Sequence, residues 1–289
     1  MGLRITIDLF SGRRNPSIEL GAAEARDAFD RLRPGRKLEV TEIPPESTLG
    51  YRGLIIEQTG KPKKVLPQVF RLLNGKLLGT GLASRATDET FEDFFCGSKG
   101  PIRRLKLGKA FPGTARGELE RFREIIQKWP AQHYPWPRKK MCKCAPLYEP
   151  AWWNVPQRQP LNNCYNYATN YRSDTFAQPG QAAGAIYSAL TCPAVLSAAV
   201  ADELIVSPSA DNKCPKEGHL AALVIWPGSD FHWYRKGRNG YWTHKPGGTA
   251  VTNVDNSGML IIDPRTADRG PYTDFCTFMV VMHGHIKIS

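Results

Sequence analysis

The feature that most constrains this chain is the run "HLAALVIW–PGSD–FHWYRK–GRNG–YWTHK", residues 219–245. Three segments rich in β-branched and aromatic residues are separated by two four-residue turn signals. Segments this short, so closely punctuated by Gly, Pro, Asn and Asp, pair as neighbouring antiparallel strands. "MLIID" (259–263) and "FCTFMVVMH" (275–283) read as further strands. Upstream, "NNCYNYATNYR" has the form of a helix start, with Asn162 or Asn163 able to cap the first N–H groups. "AVLSAAVADEL" reads as a second helix. The second half of the chain is therefore expected to be one or two helices followed by an antiparallel meander.

The first half has a different texture. "RITIDLF" alternates as a strand and leads into the turn "SGRRNP", and "RGLIIEQ" and "KLEVTEI" read as strands. "GAAEARDAFDRL" and "GELERFREIIQKW" have helical spacing, the latter with Leu119, Phe122, Ile125 and Ile126 on one face. The stretch from Val65 to Leu82 is apolar without a decisive period. Pro-, aromatic- and Lys/Arg-rich sequence after Trp129 reads as a connecting arm. The expected class is α+β, with a basic N-terminal domain over residues 1–145 and a second domain over 146–289.

Charge is unevenly spread. The net charge is +12; residues 1–150 hold 28 Lys+Arg against 17 Asp+Glu, and residues 151–289 hold 11 against 10. The excess is densest over 99–143, with 13 basic and three acidic residues. Such a surface suits an anionic partner: nucleic acid, anionic lipid or an acidic protein. No window approaches the ~18 apolar residues of a membrane span. The N-terminus reads as a strand and not as a signal peptide, which places the chain in the cytoplasm or exports it without a cleaved signal. On that reading the seven cysteines are mostly reduced, with Cys192 and Cys214 as a conceivable pair after export.

The chemistry centres on Cys164. A thiol at a helix start gains from the orphan N–H groups there, which favour the thiolate and can serve an oxyanion. It needs a histidine as base and a polar group to hold that ring. His219 opens one strand and His232 lies in the next, so the two are expected to be lateral neighbours at one sheet end. His232 is also an alternative base, with His244, Asn253 or Asp255 as partner. Trp152, Trp153, Trp233 and Trp242 are candidates for a groove wall or for core packing.

A cysteine at a helix start, a strand beginning "GHLAALV" and a polar residue on the next strand resemble the papain-like superfamily, in its NlpC- and CHAP-type branch. The resemblance covers residues 159–245, with steps of 55 (164 to 219) and 13 (219 to 232). It implies a cysteine-dependent peptidase or amidase acting on a peptide or amide substrate, with Cys164 as nucleophile, His219 as base and His232 as orienting residue. Gln159 and Asn163 would then stand by the oxyanion, and Trp153 and His244 by the substrate. The sequence departs from the NlpC pattern at Asn163 and Tyr165, where that branch has Asp before the cysteine and Ser-Gly after it.

Two other readings remain open at this level. One is a non-catalytic binding protein that grips nucleic acid or an acidic partner through its basic half. The other is a delivered toxin or effector with a hydrolase or acyltransferase domain. Cys142, Cys144 and His133 supply three soft ligands, one fewer than a structural zinc site uses, so no metal is expected. No phosphate-binding glycine pattern appears, so no cofactor is expected either.

Overall fold

A computed structural model of the chain describes residues 2–31, 48–60, 68–73, 76–78, 94–95, 100–104, 141–207 and 211–289. The chain divides into two compact units. One comprises Met1–Leu9, Asn15–Pro45 and Tyr51–Lys128; the other comprises Phe10–Arg14, Glu46–Gly50 and Trp129–Ser289. Both mix helix with antiparallel sheet, so the class is α+β. The expected strand at 37–43, the amphipathic helix at 117–129, His133, and the basic stretch apart from 100–104 and 141–143 lie outside the described residues. Among the described residues no helix is long and apolar enough to cross a membrane.

In the first unit, β1 (Gly2–Ile7), β2 (Ser17–Leu20), β3 (Leu54–Thr59), β4 (Val69–Leu73) and β5 (Lys76–Leu78) form a sheet in the order β2-β1-β3-β4-β5. Period-two alternation buries Leu3, Ile5 and Ile7 with Leu54, Ile56, Phe70 and Leu72. Helix α1 (Ala22–Arg31) adds Ala25, Ala28 and Phe29 to the buried set. The ambiguous stretch after Val65 resolves, where described, into the hairpin of β4 and β5, with Leu72 opposite Leu77. On the solvent side Arg4 pairs with Glu19 and Glu57, its cross-strand neighbours on either side. Pairs this exposed contribute little.

Asp8, just past β1, is the ionic centre of this unit. Its carboxylate accepts from Arg52 at 2.7 Å and Arg71 at 2.5 Å, and from Asn15 at 2.8 Å. Burial alone would raise its pKa, but the two guanidinium groups outweigh burial and hold it at about 2, against an ordinary 3.8. A depressed folded-state pKa contributes stability above the unfolded value, and that contribution is lost as pH falls through the folded value. We expect about 2 kcal/mol of stability to disappear as pH falls from about 4 through about 2. Unfolding free energy measured against pH checks this, and Asp8→Asn should flatten that limb of the curve.

The second unit is built on a sheet of order β6-β10-β7-β8-β9, antiparallel throughout. Its strands are β6 (Ile205–Val206), β7 (His219–Trp226), β8 (Asp230–Lys236), β9 (Trp242–His244) and β10 (Asp274–Val281). The meander of β7, β8 and β9 follows the sequence reading, and β10 returns to flank β7. "MLIID" does not form a strand: it makes a single bridge, Val254 with Leu260. The reason is local, since the Asp255 carboxylate accepts from Ser257 N and Met259 N and so turns the backbone there.

Both faces of this sheet are covered, which explains why "HLAALVIW" is a continuous apolar run and not an alternating one. After the short helix α2 (Pro150–Trp153) come α3 (Cys164–Ala168) and α4 (Cys192–Ala201), which pack on one face with Ala221, Leu223, Ile225, Phe231, Trp233 and Met279. On the other, Ala222, Val224, Tyr234, Trp242 and Phe278 pack with Ile261 and Tyr272.

The expectation of mostly reduced cysteines, and of Cys192 with Cys214 as a conceivable pair, is corrected. Cys142 is bonded to Cys214 and Cys192 to Cys276, each with Cα atoms 5.3 Å apart. Packing of α4 on β10 brings Cys192 to Cys276. The backbone of Cys142 is held by Arg238 O, at 2.8 Å. Cys142 is thereby removed from any metal site. Among the described residues Cys144 is a free, exposed thiol and Cys164 a free, buried one. Cys96 lies outside the described residues.

Candidate functional site

The site begins at the cap of α3. Asn163 Oδ1 accepts from Tyr165 N at 3.0 Å and Asn166 N at 3.2 Å, while Asn166 Oδ1 accepts from Asn163 N. This is a reciprocal capping box made with asparagines. The N–H groups of Tyr165 and Asn166, two of those at the helix start that were expected to serve an oxyanion, are taken by this cap. The Asn163 amide nitrogen is equally committed, donating to Gly12 O and Ala177 O at 2.8 Å each.

Cys164 opens the helix and is fully buried. Its thiol pKa is pushed well up, first by burial and then by the negative charge of Asp230. The Trp233 N–H, the Ser11 hydroxyl and Lys245 only partly offset this. The sulfur therefore stays a thiol, which is a poor nucleophile.

Ser11 was not singled out in the sequence, yet it stands at the centre. Its hydroxyl neighbours the Cys164 thiol and lies 2.5 Å from His232 Nδ1. His232 Nε2 is 2.9 Å from His244 Nδ1, and His244 Nε2 is 3.0 Å from Val254 O. A carbonyl can only accept. Where each ring carries a single proton, the other roles follow in turn: His244 Nε2–H donates to Val254, His232 Nε2–H donates to His244, and Ser11 O–H donates to His232. Ser11 Oγ itself accepts from Gly247 N at 3.1 Å. On that assignment a one-way hydrogen-bond chain runs through the buried side chains of Ser11, His232 and His244.

The segment Phe10–Arg14 is held in place from both sides. Asp230 accepts from Ser11 N at 2.6 Å, Gly12 N at 3.0 Å, Arg13 N at 3.1 Å and the Tyr272 hydroxyl at 2.6 Å. Gly12 O accepts from Asn163 and from Gln178. A Cβ on Gly12 would lie inside the van der Waals envelope of the Phe231 ring. Phe231 is itself fully buried. Gly12→Ala is therefore expected to cost about 2 kcal/mol by overpacking, read as a lowered denaturant midpoint at unchanged m-value.

His219 sits elsewhere. It pairs across to Val281, while His232 pairs with Val224, five residues further along β7. At ~3.3 Å per residue the two are separated by about 16 Å along the sheet. The expectation that they are lateral neighbours is corrected. His219 Nε2 lies 2.7 Å from Ala168 O, at the far end of α3 from Cys164, and burial pushes its pKa down to about 3. Alternation along β8 explains the rest: Phe231 and Trp233 join the face that carries Cys164, so His232 points to the other.

Gln159 contributes its carbonyl, which accepts from Lys245 Nζ at 2.6 Å together with Asn162 O and Gly247 O. Trp153 is a core residue, edge-on to Tyr167 with ring centres 5.3 Å apart. Trp233 and Trp242 are likewise buried, in separate clusters. Trp152 is exposed beneath the Arg158 guanidinium. Among the described residues no group of three or more His, Cys, Asp or Glu is placed to hold a metal ion.

Fold and site together define a disulfide-bonded α+β protein whose Cys/His cluster is packed shut as part of its core. No family model matches the chain, and no solved structure matches it. It is 49% identical over 140 residues to the insoluble matrix shell protein 1 of Ruditapes philippinarum, covering 48% of this chain and 91% of that protein. The chain belongs to the family of that shell matrix protein. This finding overturns the expectation of a cysteine peptidase or amidase, its peptide or amide substrate, and its status as an enzyme. The burial of Cys164 and the insertion of Ser11 give that correction its physical reason.

Proposed function

We propose that this chain is a secreted structural component of an insoluble extracellular matrix. The observation that carries the reading is the 49% identity across nearly the whole length of a protein named for an insoluble shell matrix. Two further features support it. Long-range disulfides such as Cys142–Cys214 and Cys192–Cys276 persist in oxidising, extracellular surroundings and are rare in the cytosol. The polar groups of a reactive cluster are here spent on internal bonds, as suits a scaffold.

The papain-like resemblance enters this proposal as architecture without catalysis. A cysteine-bearing helix packed on β8, with His232 on that strand and His244 on the next, is consistent with that arrangement.

The test is fractionation of source tissue with an antibody to the chain. We expect retention in the extracellular residue after salt and detergent extraction, with Cys164 unlabelled by a thiol reagent until the protein is unfolded. Recovery in a soluble intracellular fraction with all seven cysteines titratable would overturn the reading.

A further inference from the structure

Cys142, Cys144 and Cys214 bring a free thiol and a disulfide onto neighbouring segments, away from the Cys164 site. Cys142 and Cys214 are bonded, and Cys144, two residues along, is a free and exposed thiol. Its Sγ lies 3.4 Å from Lys216 O, two residues after Cys214, so it is held against the same segment that carries the disulfide. Its own carbonyl lies 3.1 Å from His283 Nε2. The two residues of the disulfide differ in exposure: Cys142 is buried, whereas Cys214 is half-buried. An exposed thiol thus stands beside a disulfide whose Cys214 side is the less covered of the two.

We propose that this cluster links copies of the chain by thiol–disulfide exchange. The inference deepens the matrix reading and rests on it for its biological use. The Cys144 thiol of one copy loses its proton to solvent, and its sulfur attacks Cys214 of a second copy. A Cys144–Cys214 bond forms between the chains and the Cys142–Cys214 bond breaks. The electron pair leaves on Cys142, which takes up a proton. One disulfide and one thiol are present before and after, so no oxidant is required. The second copy keeps its own exposed Cys144 thiol throughout, and that thiol can attack a third copy. A chain with an unpaired cysteine beside an approachable disulfide is in this way equipped to grow covalently.

The experiment uses the full oxidised chain, concentrated under nitrogen with a metal chelator and followed by non-reducing electrophoresis. We expect a ladder of multimers that collapses on reduction, with total free thiol constant as the ladder grows. Cys144→Ser, a surface substitution, should slow the ladder roughly tenfold or more. The same comparison in a Cys96→Ser background removes any contribution from Cys96. Mass mapping of mixed ordinary and heavy-isotope chains should find Cys144 joined to Cys214 across copies. The proposal is overturned if no ladder forms, if it forms equally in Cys144→Ser, or if thiol is consumed in proportion to the links. A chain that exchanges but is not retained in the extracellular residue sinks the matrix reading alone. A retained chain that does not exchange sinks this inference alone.

Discussion

Replacing Cys192 and Cys276 together by alanine is expected to lower the free energy of unfolding by about 4 kcal/mol. The bond closes a span of 84 residues, from the first turn of α4 to β10, next to the centre of the sheet. Opening so long a loop returns conformational freedom to the unfolded chain, at a cost that grows slowly with loop length. Both cysteines are also packed against the core that holds Tyr165, Trp233 and Met279. The alanine pair therefore loses packing as well as the link. Denaturant unfolding of the two proteins under non-reducing conditions reads the difference. A loss below about 1 kcal/mol would mean that the sheet and α4 hold each other without the bond.

The second large effect is expected at Asp230. Asp230→Asn keeps the shape but should cost about 3 kcal/mol. In the native protein the two oxygens face donors: Ser11 N, Gly12 N and the Tyr272 hydroxyl on Oδ2, and Arg13 N on Oδ1. Burial raises the pKa of this carboxyl, while the Tyr272 hydroxyl and the backbone N–H groups pull it back towards the ionised form. An asparagine must turn an NH₂ towards one of these sets, leaving buried donors against a donor. Since Asp230 holds the backbone of residues 11–13, the substitution should also free Ser11 from its place beside Cys164. Two readouts follow, a lower denaturant midpoint and faster alkylation of Cys164 under native conditions. If midpoint and alkylation rate both stay at the wild-type values, Asp230 is not what holds the segment.

These two effects differ in how far they can be foreseen from sequence. The turns "PGSD" and "GRNG" and the apolar runs beside them place β7, β8 and β9 almost to the residue, because strand period and turn chemistry are local properties. The cap at Asn163 is legible for the same reason, since the groups it satisfies lie two and three residues away. The resemblance to a cysteine hydrolase rests on the same local signals plus the order of Cys164, His219 and His232. Order along the chain does not say which face of a strand a side chain takes or what fills the space between two groups.

What the sequence by itself determined, then, is the α+β class, the β7–β9 meander and the helix start that carries Cys164. Only the tertiary structure decided that His232 bonds to His244, that His219 sits at the other end of α3, and that Cys142 and Cys192 find Cys214 and Cys276. It also decided that Ser11, 221 residues from His232 in the chain, stands between that ring and the thiol. The physical reason is separation. Hydrogen bonds within a turn or a cap leave a pattern in neighbouring residues. Contacts between residues 72, 84 or 221 positions apart are set by how packed elements close on one another, and no local spacing records them.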